Sequence, residues 1–258
     1  MQHWNEQITG MAFIRLMFNW SAAEMYNMNP APVLYMAFKG LNEAMSGSLD
    51  GTKIESIKDT IQGYAIASAV ASMASGIIPG VAGVVAALTQ AGFIWATYVK
   101  INKTLGISMT ENTAKFIGSA ILTNIVTGAG AILLAYAGAA ILSFIPLVGQ
   151  VAAAAINGAL GYIIIYASAV IYLQLISRMI QPDGSLKITE SDETKQVIKG
   201  IISENNLEDI IKEGRNSYKQ AKADGSIEKA KNNPKCPGCG AAVSSGQKFC
   251  SECGTALK

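Results

Sequence analysis

The chain has 258 residues, half of them hydrophobic and only 15% charged, with 20 basic against 18 acidic side chains and a net charge of +2. Soluble domains carry about a quarter charged residues; this chain is charge-poor, and its near-neutral, interleaved charges offer no basic stripe for nucleic acid. The single histidine, His3, sits at the terminus. No Ser/His/Asp set and no carboxylate pair can be assembled, and no cysteine lies outside the tail, so the chain reads as non-enzymatic.

Residues 1–59 form an amphipathic N-terminal helical region rich in aromatics, including Trp4, Phe13, Phe18 and Trp20. Met11 to Met25 is apolar apart from Arg15 and Glu24. It suits either a helix at a membrane interface anchored by Trp20 or a helix packed on the main bundle. Asn29-Pro-Ala-Pro32 breaks that helix, and Ser46 to Gly51 reads as a loop.

Residues 60–180 form the hydrophobic domain. No Asp, Glu, Lys or Arg occurs from Thr60 to Val99 or from Phe116 to Ser177. Pro79-Gly80 splits the first block into helices over Ile61–Gly76 and Val81–Lys100. Ile145-Pro-Leu-Val-Gly149 splits the second into Lys115–Ser143 and Val151–Met179. The result is two apolar hairpins, near or beyond the ~20 residues that cross a bilayer core, the first helix being short enough to be re-entrant instead. Lys53, Lys58, Lys100, Lys103, Lys115, Arg178 and Lys187 flank the hairpins at the ends away from the two breaks. If the hairpins span, the positive-inside rule places the N-terminus, the central loop and the tail in the cytoplasm, at the inner membrane if the cell is bacterial.

Small residues recur at four-residue spacing: Gly63, Ala67, Ala71 and Ser75; Gly83, Ala87 and Ala91; Ala131, Ala135 and Ala139. Such faces let helices approach closely in lipid, or in a soluble bundle that hides them by oligomerising. Gln90 and Asn157 fall inside the apolar helices and need interhelical hydrogen bonds. With no ionisable group at membrane depth, ion transport is disfavoured.

Pro79-Gly80, Gln90, Leu105-Gly106, Pro146 with Gly149, and Gly158 with Gly161 follow a pattern. In it the region from Ile61 to Met179 resembles the hydrophobic helical domain of YcjF-like membrane proteins and of the C-terminal regions of some Era-like GTPases. The resemblance implies membrane association and partnership with a separate GTPase. The chain has no GxxxxGK[ST] loop of its own.

Residues 181–234 are expected to form a polar helical stalk and linker. Pro182-Asp-Gly184 ends the apolar region, Thr189 to Ser203 suits a helix with Glu190, Asp192 and Glu193 in its first turn, and Asn206 can cap a second. That second helix places Leu207, Ile210, Ile211 and Tyr218 on one face, as a docking surface or a partly packed stalk. Asp224-Gly-Ser226 and Asn232-Asn-Pro234 read as linkers.

Residues 235–258 hold all four cysteines, Cys236, Cys239, Cys250 and Cys253, as two CxxC knuckles with ten residues between them. Each knuckle lets two thiolates converge on one metal, and Gly240 and Gly254 suit the turns behind them. The alternative, two disulfides, fits an oxidising compartment, whereas the chain shows no secretory signal. This segment resembles the short bacterial zinc-ribbon family, which implies that the four cysteines bind one zinc ion and that the aromatic before the third, here Phe249, packs on the knuckles. Four sulfur ligands leave no open coordination position, so the zinc would be structural.

The whole reads as an all-α, membrane-associated protein of Ala/Gly-rich helical hairpins carrying a small zinc ribbon. Its partners would be membrane lipid, further copies of itself through the small-residue faces, and a protein bound by the tail. A membrane-perturbing effector and a soluble oligomeric scaffold are the alternatives.

Overall fold

A computed structural model describes residues 32–74, 82–142, 150–181, 185–188 and 190–233, together with residues 236, 243 and 248–250 of the tail. The expected interfacial helix over Met11–Met25 and both hairpin breaks lie outside these residues. Among the described residues there are eight helices: α1 (Pro32–Ala44), α2 (Gly51–Ala74), α3 (Ala82–Leu105), α4 (Glu111–Leu142), α5 (Gln150–Met179), α6 (Asp192–Glu204), α7 (Leu207–Ala223) and α8 (Ser226–Asn232). The all-α class expected from composition is the observed one.

Local chemistry explains most of the boundaries. Pro32 occupies the first position of α1, where its missing N–H costs nothing. Asp50 starts α2 by accepting from the Lys53 amide at 2.8 Å. That is ten residues earlier than the charge gap suggests, because Ile54, Ile57 and Ile61 face inward while Glu55 and Asp59 stay in water. Gly106, at φ +72°, closes α3, with the Ile107 amide returning to the Asn102 carbonyl at 2.9 Å. Thr110 caps α4 through the Thr113 amide, and Ser191 caps α6 through the Thr194 amide. Inside α4, Ala129 adopts φ −140° between Gly128 and Gly130, a kink at a glycine pair.

The helices surround α5. Helices α2, α3 and α4 pack along it in sequence order, and α1, α6 and α7 complete the ring. The most apolar 18 residues within Ala154–Met179 are 94% buried by the rest of the chain. Tyr98 of α3 stacks on Tyr172 of α5 with ring centroids 3.8 Å apart. The two phenols donate onward to the Ser168 carbonyl and to Asn102 Oδ1, at 3.2 and 2.8 Å.

The closest helix contact joins α2 to α5. A β-carbon at Gly161 would lie 2.5 Å from Ser72 Oγ and 3.0 Å from the Ser68 carbonyl, and one at Gly158 would strike Met73. Small residues therefore do bring these helices together, but the buried set on α2 is Ala65, Ser68, Ala69 and Ser72. Of the expected series beginning at Gly63, Gly63 itself is exposed, Ala67 and Ala71 are half-buried against the core, and Ser75 lies outside the described residues. Gly161→Val is expected to lower unfolding free energy by about 1–3 kcal/mol through overpacking. Gly63→Val, where nothing lies within 4 Å, should leave the thermal midpoint nearly unchanged.

The expected stalk departs most from the sequence reading. Ile198, Ile201, Leu207, Ile210, Ile211, Tyr218 and Ile227 join the same core as the hairpins. The amphipathic faces of α6 and α7 find their apolar partners on α4 and α5, so residues 190–233 are a layer of the bundle and do not project from it. The Asp224-Gly225-Ser226 linker is a tight turn, with Gly225 at φ +77°, that leads into α8.

Candidate functional site

The candidate metal centre begins four positions after Asn232, the last residue of α8. Cys236 of the first knuckle and Cys250 of the second are both buried, at 1% and 3% exposure. Each knuckle thus turns one cysteine inward, as a site closed by sulfur from both knuckles requires. Cys239 and Cys253 lie outside the described residues. Phe249, which the ribbon resemblance would place on the knuckles, is 62% exposed.

A second polar constellation runs along the buried helix α5, where the sequence reading singled out only Asn157 among the polar side chains. Tyr162 Oη and Ser217 Oγ lie 2.7 Å apart. Tyr166 donates to Glu213 Oε1 at 2.7 Å. Gln174 exchanges hydrogen bonds with Asn205 at 3.2 and 2.7 Å, and Arg178 pairs with Glu204. Four polar side chains of α5 thus meet α7, the end of α6 and Asn205 between them. The Arg178 guanidinium holds the Glu204 carboxyl below the usual range, but that pair is exposed and contributes little to stability.

Glu213 is the centre of this seam. Only 9% exposed, its carboxylate accepts from the Val33 and Leu34 amides at 2.9 and 3.0 Å as well as from Tyr166. A side chain on α7 therefore caps the N-terminus of α1, some 180 residues away in sequence. Gly214 beside it lets Tyr166 approach, since a β-carbon there would sit 3.2 Å from the ring. Near the far end of α7, Tyr218 stands edge-on to Tyr162. Burial, then the Glu228 carboxylate, push the Tyr218 phenol up to about 12. The sequence signal for the seam was present in Tyr162, Tyr166 and Gln174, polar tips in an apolar run that each require a partner.

Gln90 behaves as expected of an amide inside an apolar helix. It accepts from Ser68 Oγ and donates to Ser72 Oγ at 2.8 Å, tying α3 to α2 beside Gly161. Asn157 is buried in α5.

The outward faces of α2, α3 and α4 carry small, uncharged residues over much of their length. Gln62 and Gly63, Ala91 and Gly92, and Ser119, Thr123, Thr127, Ala131 and Ala135 are all exposed. Two helices, over Glu111–Leu133 and Ala154–Met179, are long and apolar enough to cross a membrane. The most apolar 18 residues of the first are only 39% buried.

Residues 235–257 match the zinc-ribbon domain family. The match spans the tail alone, which holds all four cysteines, and it implies zinc binding there. No curated protein and no solved structure matches the chain. The likeness of the apolar region to the YcjF-like domain rests on its sequence pattern.

Proposed function

We propose that this chain is a non-enzymatic, membrane-associated adaptor. Its helical bundle holds it at the bilayer, and its ribbon, closed around one structural zinc, offers a recognition surface to a protein partner on the cytoplasmic side. The observation that carries this reading is the composition of the outward faces. A water-exposed helix face is normally a quarter to a third charged. The exposed positions from Gln62 to Gly63, Ala91 to Val99 and Ser119 to Ala135 carry no charge. Such faces suit lipid or a neighbouring helix, and their small residues favour close helix approach between copies. Phe249, exposed beside the second knuckle, supplies the aromatic anchor that protein interfaces favour. A separate GTPase is the partner that the resemblance of the apolar region suggests.

The test is fractionation. The untagged chain should sediment with membranes, stay in the pellet through alkaline carbonate and enter solution only with mild detergent. Recovery without detergent as a defined oligomer would replace this reading with the soluble scaffold, whose copies cover the uncharged faces themselves.

One observation favours the effector reading. Helix α5 is apolar enough to cross a membrane, yet its most apolar 18 residues are 94% concealed by the chain, as a helix stored for insertion would be. Release of trapped dye from liposomes at saturating protein would support it, and intact liposomes would leave the adaptor.

A further inference from the structure

Helix α7 carries its cations on one flank only, the flank toward α4. We propose that the bundle meets the bilayer along its side, with the outward face of α4 against the lipid and Lys212, Arg215, Lys219 and Lys222 on anionic headgroups along the edge of that face. The inference rests on the membrane reading above and specifies which side of the bundle the lipid meets and which lipids it selects.

Helix periodicity sets the placement. Lys212, Arg215, Lys219 and Lys222 are spaced by three, four and three residues, which puts them in one stripe along α7. Two contacts mark the sides of this helix. A β-carbon at Gly128 of α4 would lie 3.7 Å from Leu207 Cδ2, and Glu213 caps α1. At ~100° per residue the stripe is centred about 100° from Leu207 and about 140° from Glu213, so it leans toward α4. Asp209, Asn216 and Gln220 occupy the exposed flank nearer α1.

Counter-charge is scarce along the stripe. From Ile210 to Ala223 the only acid is Glu213, which is buried and engaged by the α1 amides and Tyr166. Glu208 and Asp209 stand in the first turn, where they complement the helix dipole. Glu228 of α8 pairs with Lys231 at 3.0 Å, and Lys231 is close enough to Lys222 for the two ammonium groups to repel. On the other side, α4 has no charged residue after Lys115, and Ser119, Thr123, Thr127, Gly128, Ala131 and Ala135 are exposed.

A neutral face with a cationic edge suits a bundle lying on an anionic membrane. Uncharged side chains leave water at little cost, while Lys and Arg extend their stems to headgroups. Upright insertion does not fit. Helix α7 runs along α5, from the Asn205 bond with Gln174 to the Ser217 bond with Tyr162. From Lys212 to Lys222 the stripe rises ~15 Å, the depth of one ~15 Å leaflet. An upright bundle would therefore distribute four cations through hydrocarbon, where charge is costly. On its side all four lie at one depth, and each cation near an anionic surface strengthens binding about fivefold.

The test uses the full, zinc-loaded chain, diluted from mild detergent onto vesicles of phosphatidylcholine alone or mixed with anionic phosphatidylglycerol, and separated by flotation. At ~0.1 M salt the mixed vesicles should bind far better than the neutral ones, and ~1 M salt should remove the difference. Replacing Lys212, Lys219 and Lys222 together by Gln should raise the half-saturating concentration of mixed lipid roughly a hundredfold. Lys219→Gln alone, expected at about fivefold, serves if the triple variant loses helicity. Lys100, Lys103 and Lys187, all exposed elsewhere on the bundle, are replaced by Gln as a control of equal charge and should have little effect. An environment-sensitive fluorophore at Thr127→Cys should shift to the blue on mixed vesicles, and one at Met36→Cys, exposed on α1, should not. The unsubstituted chain gives the background from the ribbon thiols.

Equal losses in the two triple variants would make the attraction one of net charge and overturn the inference, as would a shift at Met36 in place of Thr127. Equal binding to both vesicle types, indifferent to salt and to the first variant, would leave the stripe in water, open to an acidic protein segment. That result overturns the inference and leaves the membrane reading standing. A chain that floats with neither lipid overturns both.

Discussion

Glu213→Ala is expected to be among the most destabilising single substitutions in the bundle. The native carboxylate satisfies three donors, the Val33 and Leu34 amides and the Tyr166 phenol, in a site that is almost fully buried. Alanine leaves all three without their acceptor. Each buried, unsatisfied donor costs about 1–3 kcal/mol, and rehydration through the new space recovers part of that, so a loss of roughly 3–6 kcal/mol is expected. Against a typical stability of about 5–15 kcal/mol, this should move the denaturant midpoint far and leave its slope unchanged. Glu213→Gln keeps one oxygen but turns an NH2 group toward a donor, and should fall between the two. Local exchange makes the test specific. The amides of α1 from Leu34 to Leu41 should lose protection before those of α5. An unfolding free energy within about 1 kcal/mol of the parent chain would show that the cap contributes little stability.

Replacing Cys250 by serine should act on the other end of the molecule with a larger local effect. A segment of two dozen residues cannot bury enough apolar surface to fold alone, and zinc contributes about 10–16 kcal/mol in comparable peptides. The expected outcome is loss of the single bound zinc, collapse of protection throughout residues 235–257, and unchanged helicity and membrane sedimentation of the bundle. Metal content by a chromogenic chelator and exchange of the tail amides would read both. Cys239→Ser should behave alike. One zinc retained in the doubly substituted chain would remove these two residues from the ligand set.

The parts of the fold legible in the sequence are those dictated by local signals. Charge-free runs with proline-containing breaks located four helices, and the expected Lys115–Ser143 and Val151–Met179 differ little from the observed α4 and α5. Two further features were hidden for physical reasons. The phase of the small residues on α2 is ambiguous because Gly63, Ala65, Ala67, Ser68, Ala69, Ala71 and Ser72 are all small. Several helix faces look alike, and only the approach of Gly158 and Gly161 selects the buried one. The role of Glu213 was invisible because its partners are remote in sequence, and an acid on an amphipathic helix ordinarily faces water. At the ribbon, ligand spacing is itself the signal, so the candidate site was readable, while the exposure of Phe249 was not.

Between the last residue of α8 and the first zinc-ribbon cysteine stand only Asn233, Pro234 and Lys235, and the Asn233 amide is already tied back to the Lys229 and Ala230 carbonyls. Such a leash reaches ~10 Å at full extension, and proline stiffens it. A protein held by the ribbon is therefore confined close to the Lys229 and Lys231 surface of α8, and any second contact it makes there becomes intramolecular. Short connections of this kind raise local concentration to the order of millimolar, so under the proposed adaptor role a weak ribbon contact and a weak bundle contact would reinforce each other.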